Sequence, residues 1–231
     1  MKQKTTGTIE HLDPQLDNII STDAKAEIIA EGFDWSEGPC WVEAEKMLLF
    51  SDVPANTIYK WTEAKGKEIY LEPSGYTGSS PRTGEMGSNG LLLDKEGNLV
   101  LCQHGNRQMV RMNAALKDPK PIFTTLAAKY EGKRFNSPND AAYNHHGELF
   151  ITDPPYGLEK QMNDPQKEIP FQGVYRVATG GQVFLVSDSL TRPNGIAFFH
   201  GEDRFIVANS DPAKPDWYLF EKDSSGAGWT S

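Results

Sequence analysis

The sequence predicts an all-β fold, a β-propeller built of four-stranded blades, and three observations carry that prediction. A polar residue recurs at the mouth of an apolar run in S-E-G-P-C-W from Ser36, S-N-G-L from Ser88, S-P-N-D from Ser137 and R-P-N-G from Arg192. The intervals are 52 residues from Glu37 to Asn89, 50 from Asn89 to Asn139 and 55 from Asn139 to Asn194, a period that signals a repeat architecture. Between these points the chain breaks into short apolar runs bounded by turn residues, as strands do. The first two runs of a unit are joined by Asp94-Lys-Glu-Gly97, Asn144-His-His-Gly147 or His200-Gly-Glu-Asp203, where Gly and Asn accept positive φ at little steric cost. Units of four such strands make propeller blades.

In chain order, residues 1–25 read as a polar, irregular N-terminal extension whose only apolar patch is Leu12, Leu16, Ile19 and Ile20. That patch is a candidate to pack across a blade or close the ring. Residues 26–231 are the propeller domain, opening with an edge strand at 26–30. The first blade is expected at 39–42, 46–51, 57–61 and 67–71, the second at 90–94, 98–102, 108–112 and 121–126, and the third at 140–143, 148–152, 173–177 and 182–187. A fourth follows R-P-N-G with strands at 204–208 and 217–220, after which 224–228 reads as a turn with nothing beyond. Two connections, 72–87 and 154–171, are long, and long loops in compact domains tend to be functional or mobile. Placed over one end of a channel they would be substrate lids; the plain alternative is a surface insertion.

Innermost strands start at the channel rim, so one polar residue per blade would converge on the axis. Asn-Gly alone is a common hairpin dipeptide. Here, however, the Asn is expected ahead of the strand and outside the tight turn, and a Glu takes its place in the first unit.

With S-E-G-P-C-W go F-S-D-V-P-A-N-T-I-Y-K-W, N-G-L-L-L-D-K-E-G-N-L, G-K-R-F-N-S-P-N-D, F-I-T-D-P-P-Y-G-L, G-V-Y-R-V and R-P-N-G-I-A-F. From about residue 30 to 210 the chain resembles the SMP-30, gluconolactonase and regucalcin-like family of six-bladed propellers. The resemblance implies a divalent cation in the central channel, calcium first, with magnesium, zinc or manganese as alternatives. By the same resemblance its ligands are Glu37 in E-G-P, Asn139 in the N-D pair and Asn194 in P-N-G. A fourth ligand, an Asp in a P-D-G segment of the fifth blade, has no counterpart, and the chain supplies about four blades where the family has six. The expectation is therefore a C-terminally truncated propeller whose activity belongs to the complete parent.

The chemistry expected of such a site is opening of a sugar lactone to its aldonic acid, of the gluconolactonase type. Carboxylate and amide oxygens suit a hard cation, which would polarise the carbonyl while a base activates water. Glu37 is a candidate base beside the absent Asp. Asn89, His104 in C-Q-H-G-N-R, Arg134 and Tyr156 are candidate substrate contacts, though turn or strand-end satisfaction would equally account for Asn89 and His104, and a solvent-facing Arg134 is the default. Asp153 and Asp211, in T-D-P-P and N-S-D-P, read as ties between segments, and Asp140 as a backbone capper or support for the ligands. Phosphotriester hydrolysis on the same scaffold and a non-catalytic calcium-binding propeller are the rival readings.

Composition agrees with a globular chain: 38% of residues are hydrophobic, and five Trp and eight Tyr are available for a core. With 23 basic and 32 acidic residues the formal charge is −9, which argues against nucleic-acid binding and favours attraction of a cation. Cys40 and Cys102 lack a redox spacing and are expected to be buried free thiols. No run suggests a membrane span or secretory h-region, so the expected setting is cytoplasmic, or periplasmic or secreted after loss of a leader, with a monomer or homodimer acting on a small lactone.

Overall fold

The computed structural model describes residues 4–224 and 228–231. Ahead of the blades, β1 (Thr5–Thr6) and β2 (Ala26–Glu27) pair with each other. The strand expected at 26–30 is thus two residues long, and its partner is an N-terminal strand rather than a blade. A 3-10 turn at Pro14–Asn18, capped by Asp13 Oδ1 accepting the Gln15 N–H at 2.8 Å, lies within that loop. Leu12 and Ile19 are 89% and 78% exposed, so that half of the apolar patch buries little against anything.

Four antiparallel four-stranded sheets follow in sequence order. The first is β3 (Ser36–Val42), β4 (Met47–Asp52), β5 (Thr57–Thr62) and β6 (Gly66–Leu71); the second is β7 (Ser88–Leu93), β8 (Leu99–Gln103), β9 (Gln108–Met112) and β10 (Phe123–Ala127). A hairpin of β11 (Lys129–Tyr130) and β12 (Lys133–Arg134) leads to the third sheet: β13 (Ala141–Tyr143), β14 (Leu149–Asp153), β15 (Gly173–Val177) and β16 (Val183–Ser187). The fourth is β17 (Pro193–Phe198), β18 (Arg204–Asn209), β19 (Trp217–Lys222) and β20 (Trp229–Thr230). The last strand corrects the sequence expectation. Of the turn foreseen at 224–228, residues 225–227 lie outside the described residues, yet β20 does follow, pairing Thr230 with Glu221 and Trp229 with Lys222.

Each core lies between sheets. Leu49 and Ile58 of the first blade pack with Leu99, Leu101 and Val110 of the second. Val100, Cys102 and Met109 meet Ile151 and Tyr175. Phe150 and Val174 meet Phe205, Val207 and Phe220. Because a blade is covered on both faces, its second strand is buried throughout rather than on alternate residues: all five residues of β8 and of β14 are buried, including the polar Gln103, Thr152 and Asp153. Fully burying one such Leu or Ile is worth about 1.5–3 kcal/mol, so these seams hold the blades in place. Cys102 is a buried free thiol as expected, whereas Cys40 is free but only partly covered. Among the described residues no helix is long and apolar enough to cross a membrane.

The innermost strands carry the feature that positions the site. In β3 the register moves from Glu37↔Ser51 to Cys40↔Leu49, in β7 from Ser88↔Gln103 to Leu91↔Leu101, and in β17 from Pro193↔Asn209 to Ile196↔Val207. Three steps on one strand oppose two on its partner, which is a one-residue bulge. Glu37, Asn89 and Asn194 therefore stand inside their strands as the second residue, not ahead of them, and the bulge re-aims side chains there. Asn139 alone precedes its strand, its N–H donating to Thr152 O at 2.8 Å.

Candidate active site at the starts of the inner strands

The residues that follow these polar ones explain how neighbouring inner strands come together. Gly38 has φ +57°, and a Cβ on it would stand 2.1 Å from Asn89 O; a Cβ on Gly90 would stand 2.7 Å from Asn139 O. Only glycine lets neighbouring inner strands approach so closely. Hydrogen bonds stitch the same row. Ser51 Oγ donates to Asn89 O at 2.9 Å, the Gly90 N–H donates to Asn139 O at 2.8 Å, and Asp140 Oδ2 accepts the Ile196 N–H at 3.0 Å. Asp140 takes the place glycine holds elsewhere, and its other oxygen accepts the Ala141 N–H at 2.9 Å. Burial pushes the Asp140 carboxyl pKa up, and the nearby Glu37 charge adds to the shift.

A second set of side chains, at the ends of the second strands, holds the segments that deliver the site. Asp52 accepts the N–H groups of Asp34 and Trp35 at 3.2 and 3.0 Å. Asp153 accepts those of Asn136 and Ser137 at 2.8 and 2.7 Å, and Asn209 Oδ1 accepts the Arg192 N–H at 2.7 Å. In the second blade Gln103 Nε2 donates to Ser74 O at 2.9 Å, while Ser74 Oγ accepts the Ser88 N–H at 3.0 Å. The signal was present in the sequence, as the closing polar letter of F-S-D, L-C-Q, I-T-D and V-A-N. Asp153 is a tie, as foreseen. The matching residue in the fourth blade is Asn209, however, not Asp211, which accepts from Thr191 Oγ1 at 2.7 Å and Ala213 N–H at 3.0 Å. Complete burial pushes the Asp153 carboxyl up to about 7, against the two N–H donors that favour its charge.

Around this row the structure assembles most of the expected residues. Asn89 and Asn139 are buried, and Glu37 and Asn194 are half-buried. Glu37 Oε1 accepts the Trp35 indole N–H at 2.9 Å. His104 is fully buried, with Nε2 3.5 Å from Asn139 Nδ2. Glu85, which the sequence reading overlooked, places Oε2 3.2 Å from His104 Nδ1 without hydrogen-bond alignment. Tyr156 neighbours Asn194 and Arg192, whose guanidinium is 5.9 Å from its ring, and burial raises the phenol pKa. Both long connections border this region: Glu85 belongs to the first, and Gly157 of the second wedges between His104 and Ser137. They also grip each other, Arg82 Nη2 donating to Gly157 O and the Thr83 N–H donating to Glu159 Oε1 at 3.0 Å. Arg134 stands apart from this set, donating from Nη2 to Asn106 O at 3.1 Å and lining a cavity with Arg82 and Arg107.

Among the described residues no group of three or more His, Cys, Asp or Glu gathers as a metal site. The candidate donors are instead one carboxylate, Glu37, and the amide oxygens of Asn139 and Asn194. With the amide nitrogen of Asn139 turned to His104, its oxygen is the donor left available. An all-oxygen set of this kind fits a hard divalent cation.

A family model described as the SMP-30/gluconolactonase/LRE-like region matches residues 35–230. The chain belongs to this family. A gluconolactonase from Zymomonas mobilis subsp. mobilis is 37% identical over 228 residues, covering 98% of this chain and 63% of the relative. The diisopropyl-fluorophosphatase of Loligo vulgaris is 33% identical over 172 residues, 71% of this chain and 50% of the relative. Among solved structures, a gluconolactonase from Xanthomonas campestris is 28% identical with a TM-score of 0.74, over 91% of this chain and 65% of that one. The present family member thus spans 63% and 50% of the lengths of these two curated relatives. Its four-bladed body is the propeller architecture that the sequence foresaw.

Proposed function

We propose that the protein takes part in metal-assisted hydrolysis of lactones, opening a sugar lactone of the aldonolactone class to its hydroxy acid. The observation that carries this reading is the row of Glu37, Asn89, Asn139 and Asn194 at the starts of the inner strands of four successive blades, linked from blade to blade by hydrogen bonds through the Ser51 hydroxyl, the Gly90 N–H and the Asp140 carboxylate. Similarity to gluconolactonases over nearly the whole chain supports it.

In this reading Glu37, Asn139 and Asn194 hold the divalent cation, calcium first among hard ions. When bound, the ion supplies polarisation of the lactone carbonyl and stabilises developing negative charge on its oxygen. Glu37, held by Trp35, accepts a proton from the attacking water. The new C–O bond forms at the carbonyl carbon, the ring C–O bond breaks, and the departing ring oxygen takes up a proton. Asn89 and Tyr156 orient the sugar hydroxyls, while the fully buried His104, expected from the sequence to contact substrate, instead fixes the amide of Asn139. The two clasped connections exclude water from one side of the site, and Arg134, bonded to Asn106 O, has no role beside Glu37 in this reading.

Calorimetric titration of calcium into the full-length protein, with lactone opening followed by acid release, tests the reading. Glu37→Gln is expected to reduce metal-dependent turnover by about 100-fold or more while leaving the circular dichroism spectrum unchanged. Retained turnover would exclude the assignment. The 33% identity to a fluorophosphatase favours one second reading, attack of water on the phosphorus of an organophosphate at the same residues with loss of its leaving group, fluoride in the case of diisopropyl fluorophosphate. Turnover of diisopropyl fluorophosphate without lactone opening selects it.

A further inference from the structure

Away from the row of site residues, a cavity of about 310 Å³ opens between the two long connections and the β11–β12 hairpin, and three of its lining residues are Arg82, Arg107 and Arg134. Glu159 and Asp164 also line it, so the formal charge of these five groups is three positive less two negative, or one net positive, in a chain whose total is −9. The two acids are engaged by backbone. Glu159 Oε1 accepts the Thr83 N–H at 3.0 Å, and the two oxygens of Asp164 accept the N–H groups of Lys160 and Gln166 at 2.9 and 2.8 Å.

The guanidiniums, by contrast, are held mainly by carbonyls. Arg82 donates from Nη1 to Gly105 O at 2.7 Å and from Nη2 to Gly157 O, and its Nε is buried with no partner among the described residues. Arg134 donates from Nη2 to Asn106 O at 3.1 Å. Arg107 is 2% exposed and donates to Phe135 O at 2.6 Å and Gln166 O at 2.9 Å. Among the described residues, the ion pair of these three is Arg107 with Glu168 at 3.7 Å; Arg82 and Arg134 have no carboxylate within ion-pair distance. Carbonyl contacts orient a guanidinium without neutralising it, and a planar fork with free N–H groups matches a carboxylate or phosphate. Burial depresses the Arg82 pKa and the neighbouring Arg134 charge adds to the shift, while Glu159 and Asp164 oppose it.

We infer that this cavity is a binding site for a small oxyanion, a carboxylate or phosphate group, held by Arg82 and Arg134 with Arg107 adding charge. The occupant would bridge the 72–87 connection to the β11–β12 hairpin and so tighten the clasp beside the candidate active site. The site involves neither Glu37 nor the Asn row and does not depend on the lactonase reading.

The test is calorimetric titration of inorganic phosphate and, separately, succinate into the full-length protein at constant ionic strength. Saturable binding of either supports the site, phosphate alone indicating a phosphorylated ligand and succinate alone a carboxylic acid. Arg134→Gln is expected to weaken binding about tenfold or more, with the thermal midpoint checked to show that the fold persists. Arg82→Gln is the second variant. Glu37→Gln should bind as the wild type does. Absence of saturable binding of both anions, binding unchanged in both arginine variants, or binding lost in Glu37→Gln would overturn the inference.

Discussion

Asp140 reaches from the third blade to the fourth, its Oδ2 accepting the Ile196 N–H at 3.0 Å in the position where other blades place glycine. A carboxylate here replaces close backbone approach by a directed hydrogen bond. Asp140→Ala leaves the Ile196 N–H without that partner and is expected to cost about 1–3 kcal/mol. Urea unfolding of the two proteins checks it, and Asp140→Asn, which keeps an acceptor, should cost less.

Gly38 and Gly97 make a matched pair for testing the approach of inner strands. Both have positive φ, +57° and +81°, but an added Cβ meets Asn89 O at 2.1 Å at Gly38 and nothing within 4 Å at Gly97. Gly38→Ala is expected to destabilise by about 2–4 kcal/mol, and Gly97→Ala by about 1 kcal/mol, the cost of left-handed backbone alone. Equal losses in thermal unfolding would show that the seam between the first two blades tolerates displacement.

Asp153 predicts a pH dependence. Its carboxyl rises from an ordinary 3.8 to about 7 in the fold, with burial as the leading cause. The folded chain therefore holds this proton more tightly than the unfolded chain does. The stabilising contribution is complete below about pH 3.8 and is lost as pH rises through about 7. Asp153→Asn removes the titration. The wild type should accordingly lose about 2–4 kcal/mol relative to the variant between pH 4 and pH 8, read from denaturant midpoints across that range. A parallel pair of profiles would mean that the Asn136 and Ser137 N–H groups keep the carboxylate charged throughout.

Arg82, in the first long connection, grips the second through Gly157 O and the turn between β8 and β9 through Gly105 O. Arg82→Met keeps an unbranched apolar side chain but removes the guanidinium, whose carbon lies 5.5 Å from the Tyr76 ring centroid. Hydrogen exchange at residues 75–87 and 154–160 should accelerate, while global stability falls by only about 0.5–1.5 kcal/mol. Unchanged exchange would show that the connections are held by their own packing.

Much of the architecture was readable from residue order. The strands expected at 108–112 and 173–177 match β9 and β15 residue for residue, because each is a short apolar run between unmistakable turns. Boundaries at the inner strands were less legible. A bulge adds one residue without any obligatory sequence mark, so Glu37, Asn89 and Asn194 read as preceding strands in which they in fact stand. The strand β20 was missed because Trp229 and Thr230 form too short a run to announce pairing. Of the candidate site, Glu37, Asn139 and Asn194 are singled out by motif and by family resemblance, whereas Glu85 gives no local signal. Its proximity to His104 arises from a loop folding back across nineteen positions of chain.

The sequence by itself determined the repeat, the strand content and the identity of the polar residue each blade offers, since all three are set by local pattern and spacing. Tertiary structure decided which of those residues are neighbours. Asn139 meets His104, Asp140 meets Ile196, and Arg134 joins Arg82 and Arg107 instead of the Asn row. These pairings depend on how blades pack across their apolar seams and on where glycine permits backbones to touch, quantities that no single stretch of chain contains.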